Sequence, residues 1–273
     1  MIYFVNDHFT SEAKLSLLDL GVLRGFGVFE FARTYQGIFF HLDHHIKRFF
    51  NSARTIGLYS PYSASEIEKF CYELLEKNSL SECSVKMVLT GGISLNGFEP
   101  EGNSTFALIA NTLPPPPKPL AIATAYYERY LPECKTLNYL PAILEQQKAR
   151  ANGFDEVLFL DHSGNILEGA RENFFAIKHG TLVTPKLGVL PGVTRQFVID
   201  VAQDIMNVEE RCMAYTELHD CEEAFFTSTA KEIAPIARID SMVFSSEQTH
   251  SLHRLYKSKV LEELNYSLSS SKP

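Results

Sequence analysis

The sequence predicts an α+β fold arranged as two domains. Three observations support this. Apolar segments of strand length cluster along the chain, and helix-length segments of apolar period flank them. Four consecutive prolines, in Leu113-Pro-Pro-Pro-Pro-Lys-Pro119, cannot sit inside a helix or a central strand and read as a stiff spacer. The 273 residues, 45% of them hydrophobic, can bury one large core or two modest ones. The expected organisation is a smaller N-terminal domain over residues 1–112, a Pro-rich linker over 113–119 and a larger C-terminal domain over 120–273.

Taken in order, Ile2–Val5 reads as a short strand, Gly21–Phe29 as a Gly-rich stretch and Gly37–Phe40 as a strand. Asp43 can cap a helix whose apolar residues are Ile46, Phe49, Phe50, Ala53 and Ile56, with Gly57 at its end. A second helix from about Ser65 places Ile67, Phe70, Cys71, Leu74 and Leu75 on one face, and strands follow near Val85–Leu89 and Phe106–Ala110. Beyond the linker come a strand at Leu120–Tyr127 and a helix from about Pro141 to Asn152, with proline in its first turn and Gly153 at its end. Strands at Glu156–Leu160 and Asn173–Ile177 are followed by turns at 162–165 and 179–180 respectively. Gly192 opens a helix with Val193, Phe197, Val201, Ala202 and Ile205 inward. A strand at Ala224–Thr227 and a helix over about Thr249–Tyr266 complete the chain, and the Ser-rich tail after Tyr266 is expected to fray.

Composition narrows the function. A net charge of −8 with no basic stripe argues against a nucleic-acid partner. Five cysteines, an odd count with no CxxC, argue against a disulfide framework or a structural zinc site. His41, His44 and His45 cluster, but no carboxylate or thiol completes a metal site there, so none is expected. MIYFVNDHF has no basic region and no long apolar run, which predicts a cytoplasmic protein without a membrane partner.

Four places carry candidate chemistry. Gly192-Val193-Thr194 opens a helix, where free N–H groups, the helix dipole and a hydroxyl can meet an anion. Ser228-Thr229-Ala230 puts two hydroxyls at the end of an apolar strand. Glu168 ends a short strand before Gly169. Lys135 lies among apolar neighbours that can desolvate it. Singly, these also read as an ordinary helix start, a turn and solvated surface groups.

In this order they resemble the fold-type IV pyridoxal-phosphate enzymes, which include branched-chain aminotransferases, D-amino-acid aminotransferases and 4-amino-4-deoxychorismate lyase. The resemblance runs from about Val5 to Asp240. Its first segment is Gly21-Val-Leu-Arg-Gly-Phe-Gly-Val-Phe-Glu-Phe-Ala-Arg33, continued by Gly37, Phe40, Leu42, His45, Arg48 and Ser52-Ala53. It implies that Arg48 binds the cofactor phosphate, and it offers Phe29, Arg24 and Arg33 as substrate contacts. Lys135-Thr-Leu-Asn-Tyr-Leu140 implies that Lys135 carries the cofactor as a Schiff base and shuttles protons, with Tyr139 on the cofactor's phenolic oxygen. Glu168-Gly-Ala-Arg-Glu-Asn-Phe-Phe175, with Leu190-Pro-Gly-Val-Thr-Arg195, gives Glu168 the pyridine-nitrogen role and Val193 and Thr194 the phosphate. The stretch between those two halves, Pro185 to Val189, is shorter than the family's. Phe226-Thr-Ser-Thr-Ala-Lys-Glu-Ile-Ala-Pro235 supplies Ser228, Thr229 and Ala230 as donors to phosphate and substrate carboxylate.

The resemblance implies a homodimer acting on a small amino substrate, and it leaves the reaction open. The Arg-x-His trap of the D-amino-acid enzymes is absent from Gly91–Phe98. The branched-chain Tyr-x-Arg reads Ser84-Val-Lys86, which retains only a cation at Lys86. Gly91-Gly-Ile-Ser-x-x-Gly-Phe98 is similar to one branch of the lyases, while Glu30-Phe31 replaces the other branch's Thr-Thr pair. An aminotransferase-like enzyme is the leading expectation, with the lyase as its alternative.

Overall fold

The computed structural model describes residues 1–270, with side chains through Tyr266. The chain forms two compact units, one of Met1–Leu113 with Cys134–Tyr139, the other of Pro114–Glu133 with the chain from Leu140 onward. Division at the proline run would put Cys134–Tyr139 in the second half. The segment instead belongs to the first unit, because its backbone pairs there with a strand edge.

The first unit contains β1 (Tyr3–Val5), β2 (His8–Thr10), α1 (Leu20–Arg24), β3 (Gly27–Tyr35), β4 (Ile38–Phe39), α2 (Leu42–Thr55), α3 (Ala64–Asn78), β5 (Cys83–Thr90) and β6 (Thr105–Thr112). Its strands form one antiparallel sheet in the order β2-β1-β6-β5-β3-β4. Strand alternation gives the sheet two unlike faces. Val28, Ala32, Val85, Met87, Leu89, Phe106 and Leu108 are buried with Ile46, Phe49 and Ala53 of α2 and Ile67, Cys71 and Leu74 of α3. Phe29, Phe31, Arg33 and Lys86 take the opposite face and stay partly exposed.

Asp43 is not the cap of α2. The helix starts at Leu42 after His41, whose φ of 49° turns the chain and whose side chain makes no capping bond. Asp43 sits in the first turn, where its charge complements the helix dipole. In α3 the cap is Ser63, which forms a reciprocal box with Glu66.

The second unit contains β7 (Leu120–Tyr126), α4 (Leu140–Ala151), β8 (Glu156–Leu160), β9 (Ile166–Gly169), β10 (Asn173–Lys178), β11 (Thr181–Thr184), α5 (Val193–Ala202) and β12 (Asn207–Glu210). A 3-10 turn at Tyr215–Asp220, β13 (Glu223–Ser228), β14 (Glu232–Ile239), β15 (Met242–Val243) and α6 (Glu247–Ser270) follow. The sheet order is β12-β11-β10-β13-β14-β7-β8-β9, and β9 also pairs with β10, closing a ring of six strands. Closure removes two exposed sheet edges. Its core is Ile122, Leu158, Leu160, Phe174, Phe226, Ala234 and Ile236. Outside the ring, Phe197 of α5 meets Tyr256 of α6 edge-to-face at 5.3 Å. The backbone of α6 stays helical through Ser270, so fraying does not begin at Tyr266, and the last three residues of the tail lie outside those described.

Leu74 is fully buried under the first sheet. Leu74→Ala is expected to lower unfolding free energy by about 3 kcal/mol, the loss of a buried leucine plus its residual cavity. Urea denaturation should show a lower midpoint at unchanged slope.

Candidate active site

In the first unit the site grows from the edge of β3. Phe29 N donates to Lys135 O at 2.9 Å, Leu137 N to Gly27 O at 3.0 Å, and Lys135 N to Ser52 Oγ of α2 at 3.1 Å. Only glycine fits at position 27, because a Cβ there would lie 2.6 Å from Leu89 O and 2.7 Å from Leu137 Cδ1. These bonds bury Lys135 to 9% exposure and set its Nζ 4.5 Å from the centre of the Phe29 ring. Tyr139 meets the same ring edge-on at 5.4 Å, and Lys86 Nζ lies 5.9 Å from it. Phe29, Lys86, Lys135 and Tyr139 are therefore brought together.

Arg33 shares the sheet face and lies over the Tyr35 ring at 4.2 Å. Arg24 stays exposed at the end of α1, its Nη1 donating to Leu23 O. Arg48 is held by Glu30, whose side chain points to the core side of β3. Arg48 Nε and Nη2 each donate to a Glu30 oxygen at 2.7 Å. His45 Nδ1 is 3.3 Å from the same carboxylate. Burial pushes the Glu30 carboxyl up, but the charge and paired bonds of Arg48, with the nearby His45 ring, outweigh it and hold it well below the usual carboxylate range. Burial also lowers the pKa of His45, against the pull of Glu30.

In the second unit Glu168, on β9, faces Asn173, on β10, where the strand ring closes. Glu168 is 6% exposed. One oxygen accepts from Leu190 N at 2.9 Å and Asn173 Nδ2 at 3.3 Å, the other from Arg129 Nε at 2.8 Å. Arg129 also donates to Pro132 O, which fixes its loop. Asn173 Nδ2 reaches Leu190 O at 2.8 Å. A Cβ at Gly192 would stand 2.1 Å from Asn173 Oδ1, so glycine is what lets the start of α5 pack on Asn173. Gly192 caps α5 with no side-chain bond, and the buried Thr194 lies in the first turn.

Asn173 also pairs in register with Thr227 of β13, next to Ser228. The second unit thus brings Glu168, the start of α5 and the 227–230 segment around Asn173. Thr227 Oγ1 is buried with no hydrogen-bond partner among the described residues. A buried hydroxyl left in that state costs about 1–3 kcal/mol unless a ligand satisfies it.

The chain matches the family Amino-transferase class IV over residues 27–239 and belongs to it. It is 33% identical to a putative branched-chain-amino-acid aminotransferase of Methanocaldococcus jannaschii, covering 95% of each chain. It is 32% identical to the aminodeoxychorismate lyase of Bacillus subtilis, over 95% of this chain and 94% of that one. The fold matches the crystal structure of the branched-chain aminotransferase from Thermoproteus uzoniensis with norvaline, with a TM-score of 0.87, 31% identity and coverage of 96% of this chain and 95% of that one. The protein is an aminotransferase-like enzyme of fold type IV, and the cofactor of its class is pyridoxal 5'-phosphate. The residues present fit that cofactor. The first unit offers a buried lysine suited to its aldehyde, and the second separately offers a buried carboxylate, a helix start without a side-chain cap bond and an unsatisfied hydroxyl, the kinds of group its ring nitrogen and phosphate call for.

The sequence left Arg129 unremarked and gave Glu30, Ser52 and Thr227 no role, though all three lie in matched segments. Arg129 sits in a stretch without a pattern, and Ser52 lies in the first matched segment with nothing in the sequence to mark it as a partner of Lys135. Glu30 was visible as a lone charge in an apolar alternating strand, a signal that an internal partner exists.

Arg48→Met leaves Glu30 buried without its guanidinium. Unfolding of the cofactor-free protein is expected to lose about 3 kcal/mol at neutral pH. The lowered pKa of Glu30 contributes stability that is present above the ordinary value of 4.5 and is lost as pH falls below it. The difference between variant and parent should therefore narrow in acid, which stability measured across pH will show.

Proposed function

We propose that the protein transfers the amino group of an amino acid to a keto acid, with Lys135 as the residue that holds pyridoxal phosphate covalently. The observation that carries this reading is the burial of Lys135 against Phe29, on a segment pinned by two main-chain bonds to β3 and a third to the Ser52 hydroxyl. Bound pyridoxal phosphate supplies an electron sink that makes the substrate's Cα–H acidic.

The chain's own groups do the rest. Lys135 Nζ would take the proton from the substrate Cα and hold it for return to the reacting system. Glu168 offers its carboxylate to the ring nitrogen, and Arg129, Asn173 and Leu190 N stop it from rotating away. Tyr139 serves the phenolic oxygen. The amides of Val193 and Thr194, the Thr194 hydroxyl, Ser228, Thr229 and Arg48 serve the phosphate. Arg33, Lys86 and the Ala230 amide serve substrate carboxylates, Phe29 bounds the substrate, and the exposed Arg24 stands as an outer contact.

A second reading, elimination of pyruvate from 4-amino-4-deoxychorismate, is favoured by the likeness to the Bacillus subtilis lyase over nearly the whole chain. Both readings use the same proton at Cα and part at the next step.

We further infer a homodimer in the cytoplasm. Leu17, Leu95 and Phe98 expose 80%, 84% and 75% of their surface, apolar side chains that a partner subunit would cover. All five cysteines are free thiols, which fits a reducing compartment. No helix among the described residues is long and apolar enough to cross a membrane.

The protein loaded with pyridoxal phosphate should be yellow, and L-glutamate without acceptor should bleach that band. Lys135→Gln should abolish the band and slow the half-reaction at least about a thousandfold. A yellow protein untouched by glutamate that releases pyruvate from 4-amino-4-deoxychorismate would establish the lyase. A protein that never takes up the cofactor overturns both readings. Sedimentation at micromolar concentration checks the dimer.

A further inference from the structure

Behind the 228–230 turn lies a buried charge cluster that the chemistry above does not use. Lys231 Nζ is 2.7 Å from Glu172 Oε1 and 3.9 Å from Glu156 Oε2. The two carboxylate side chains are 1% and 2% exposed and the lysine 23%. Glu172 lies on the β9–β10 loop, four residues after Glu168, and Glu156 lies on β8. Other groups face the pair. Gln146 Nε2 of α4 reaches both Glu156 oxygens at 2.7 Å, Arg171 N donates to Glu172 Oε2 at 3.0 Å, and Arg171 Nη2 is 3.3 Å from Glu156. The Arg171 side chain is 55% exposed, so water screens it.

The residue after Lys231 is anchored as well. Glu232 has a φ of 57°, a left-handed backbone uncommon for glutamate. Its carboxylate is tied to α6 by His253 Nε2 at 2.8 Å and Lys257 at 3.6 Å. Lys231 N donates to Ser228 Oγ at 3.3 Å, closing the turn between these anchors. Successive residues of opposite charge, both at the C-terminal end of the turn, are thus tied to different elements.

We propose that Lys231 is a positioning residue: its ammonium, set against the buried carboxylates of Glu172 and Glu156, holds the Ser228-Thr229-Ala230 turn so that its donors face the cofactor phosphate. This rests on the pyridoxal-phosphate reading of the site. Burial and the neighbouring Glu172 charge already push the Glu156 carboxyl up. Without the lysine the two carboxylates repel each other, most strongly when both are ionised, and the segment that links Glu168 to the turn loses its tie. A raised carboxyl pKa makes stability fall as pH rises through it, so the defect is largest in alkali and relieved when the pair takes up a proton.

The test compares the full-length protein with Lys231→Met, Lys231→Arg and the double variant Lys231→Met/Glu172→Gln. Amide exchange over residues 225–233 is read on the cofactor-free protein, normalised to intrinsic rates. The dissociation constant of pyridoxal phosphate is read at about pH 8.5 and about pH 6. Lys231→Met should speed exchange in the turn and weaken the cofactor about tenfold at the higher pH, less at the lower. Lys231→Arg and the double variant should recover most of both, because each restores charge balance.

Parent-like exchange and affinity in Lys231→Met overturn the proposal. So does a double variant no better than Lys231→Met, since charge would then not be the cause. If Lys231→Met fails to fold, the arginine and double variants decide by the same two readouts. If the parent protein does not bind pyridoxal phosphate, the functional reading fails, while exchange still reports whether Lys231 orders the turn.

Discussion

The strand ring of the second unit closes at one residue pair, Glu168 with Asn173, and much of that unit's chemistry depends on the pair. A carboxylate buried to 6% exposure must be hydrogen-bonded to be tolerated, and here the bonds come from three separate places: Arg129, Asn173 and Leu190 N. Asn173 then serves three neighbours. It bonds Glu168, bonds Leu190 O, and leaves a space that only a glycine at 192 can enter. The start of α5 is therefore placed by the same group that orients the acid. Closing the ring and building the cradle are one structural event.

The first unit solves a related problem in a different way. Strand β3 separates two environments by alternation alone. Phe29, Phe31 and Arg33 face one side, while Val28, Glu30 and Ala32 enter the core. Glu30 is the exception to the apolar rule, and Arg48 and His45 of α2 answer it from the same helix face as Ser52, which fixes Lys135 N. Helix, sheet and lysine segment are thereby locked together by polar bonds inside an apolar core. Such bonds add little net stability but exclude other registers, because a shifted strand would leave the carboxylate buried and unpaired.

The periodic elements were legible from sequence. The helices α2 and α3, the helix opened by Gly192, and the strands at 83–90, 105–112 and 156–160 stand within a few residues of their expected places. Their signal is strong because each buries one continuous apolar face. Elements without such a face were not legible. β11 and β12 are four-residue strands, β12 mostly exposed, and they exist because they pair with each other in parallel. β14 contains Pro235, which the sequence alone reads as a strand breaker, yet it pairs on both sides with β13 and β7. The Asp43 cap failed because the cap lies two residues earlier, at a left-handed His41 that no pattern announces.

The sequence by itself determined the family, the cofactor and the order of the chemical groups, because these reside in residue types at set spacings along one chain. Tertiary structure decided which of those groups meet. It assigned Lys135 to the first unit through bonds to β3 and α2, gave Arg48 its bidentate partner in Glu30, and set Glu168 against Arg129 across 39 residues. It also assembled Lys231, Glu172 and Glu156 from three separate segments. The physical reason is that charge pairing and hydrogen bonding act over a few ångströms of space, whatever the distance along the chain. Only the folded sheets bring such groups within reach of one another.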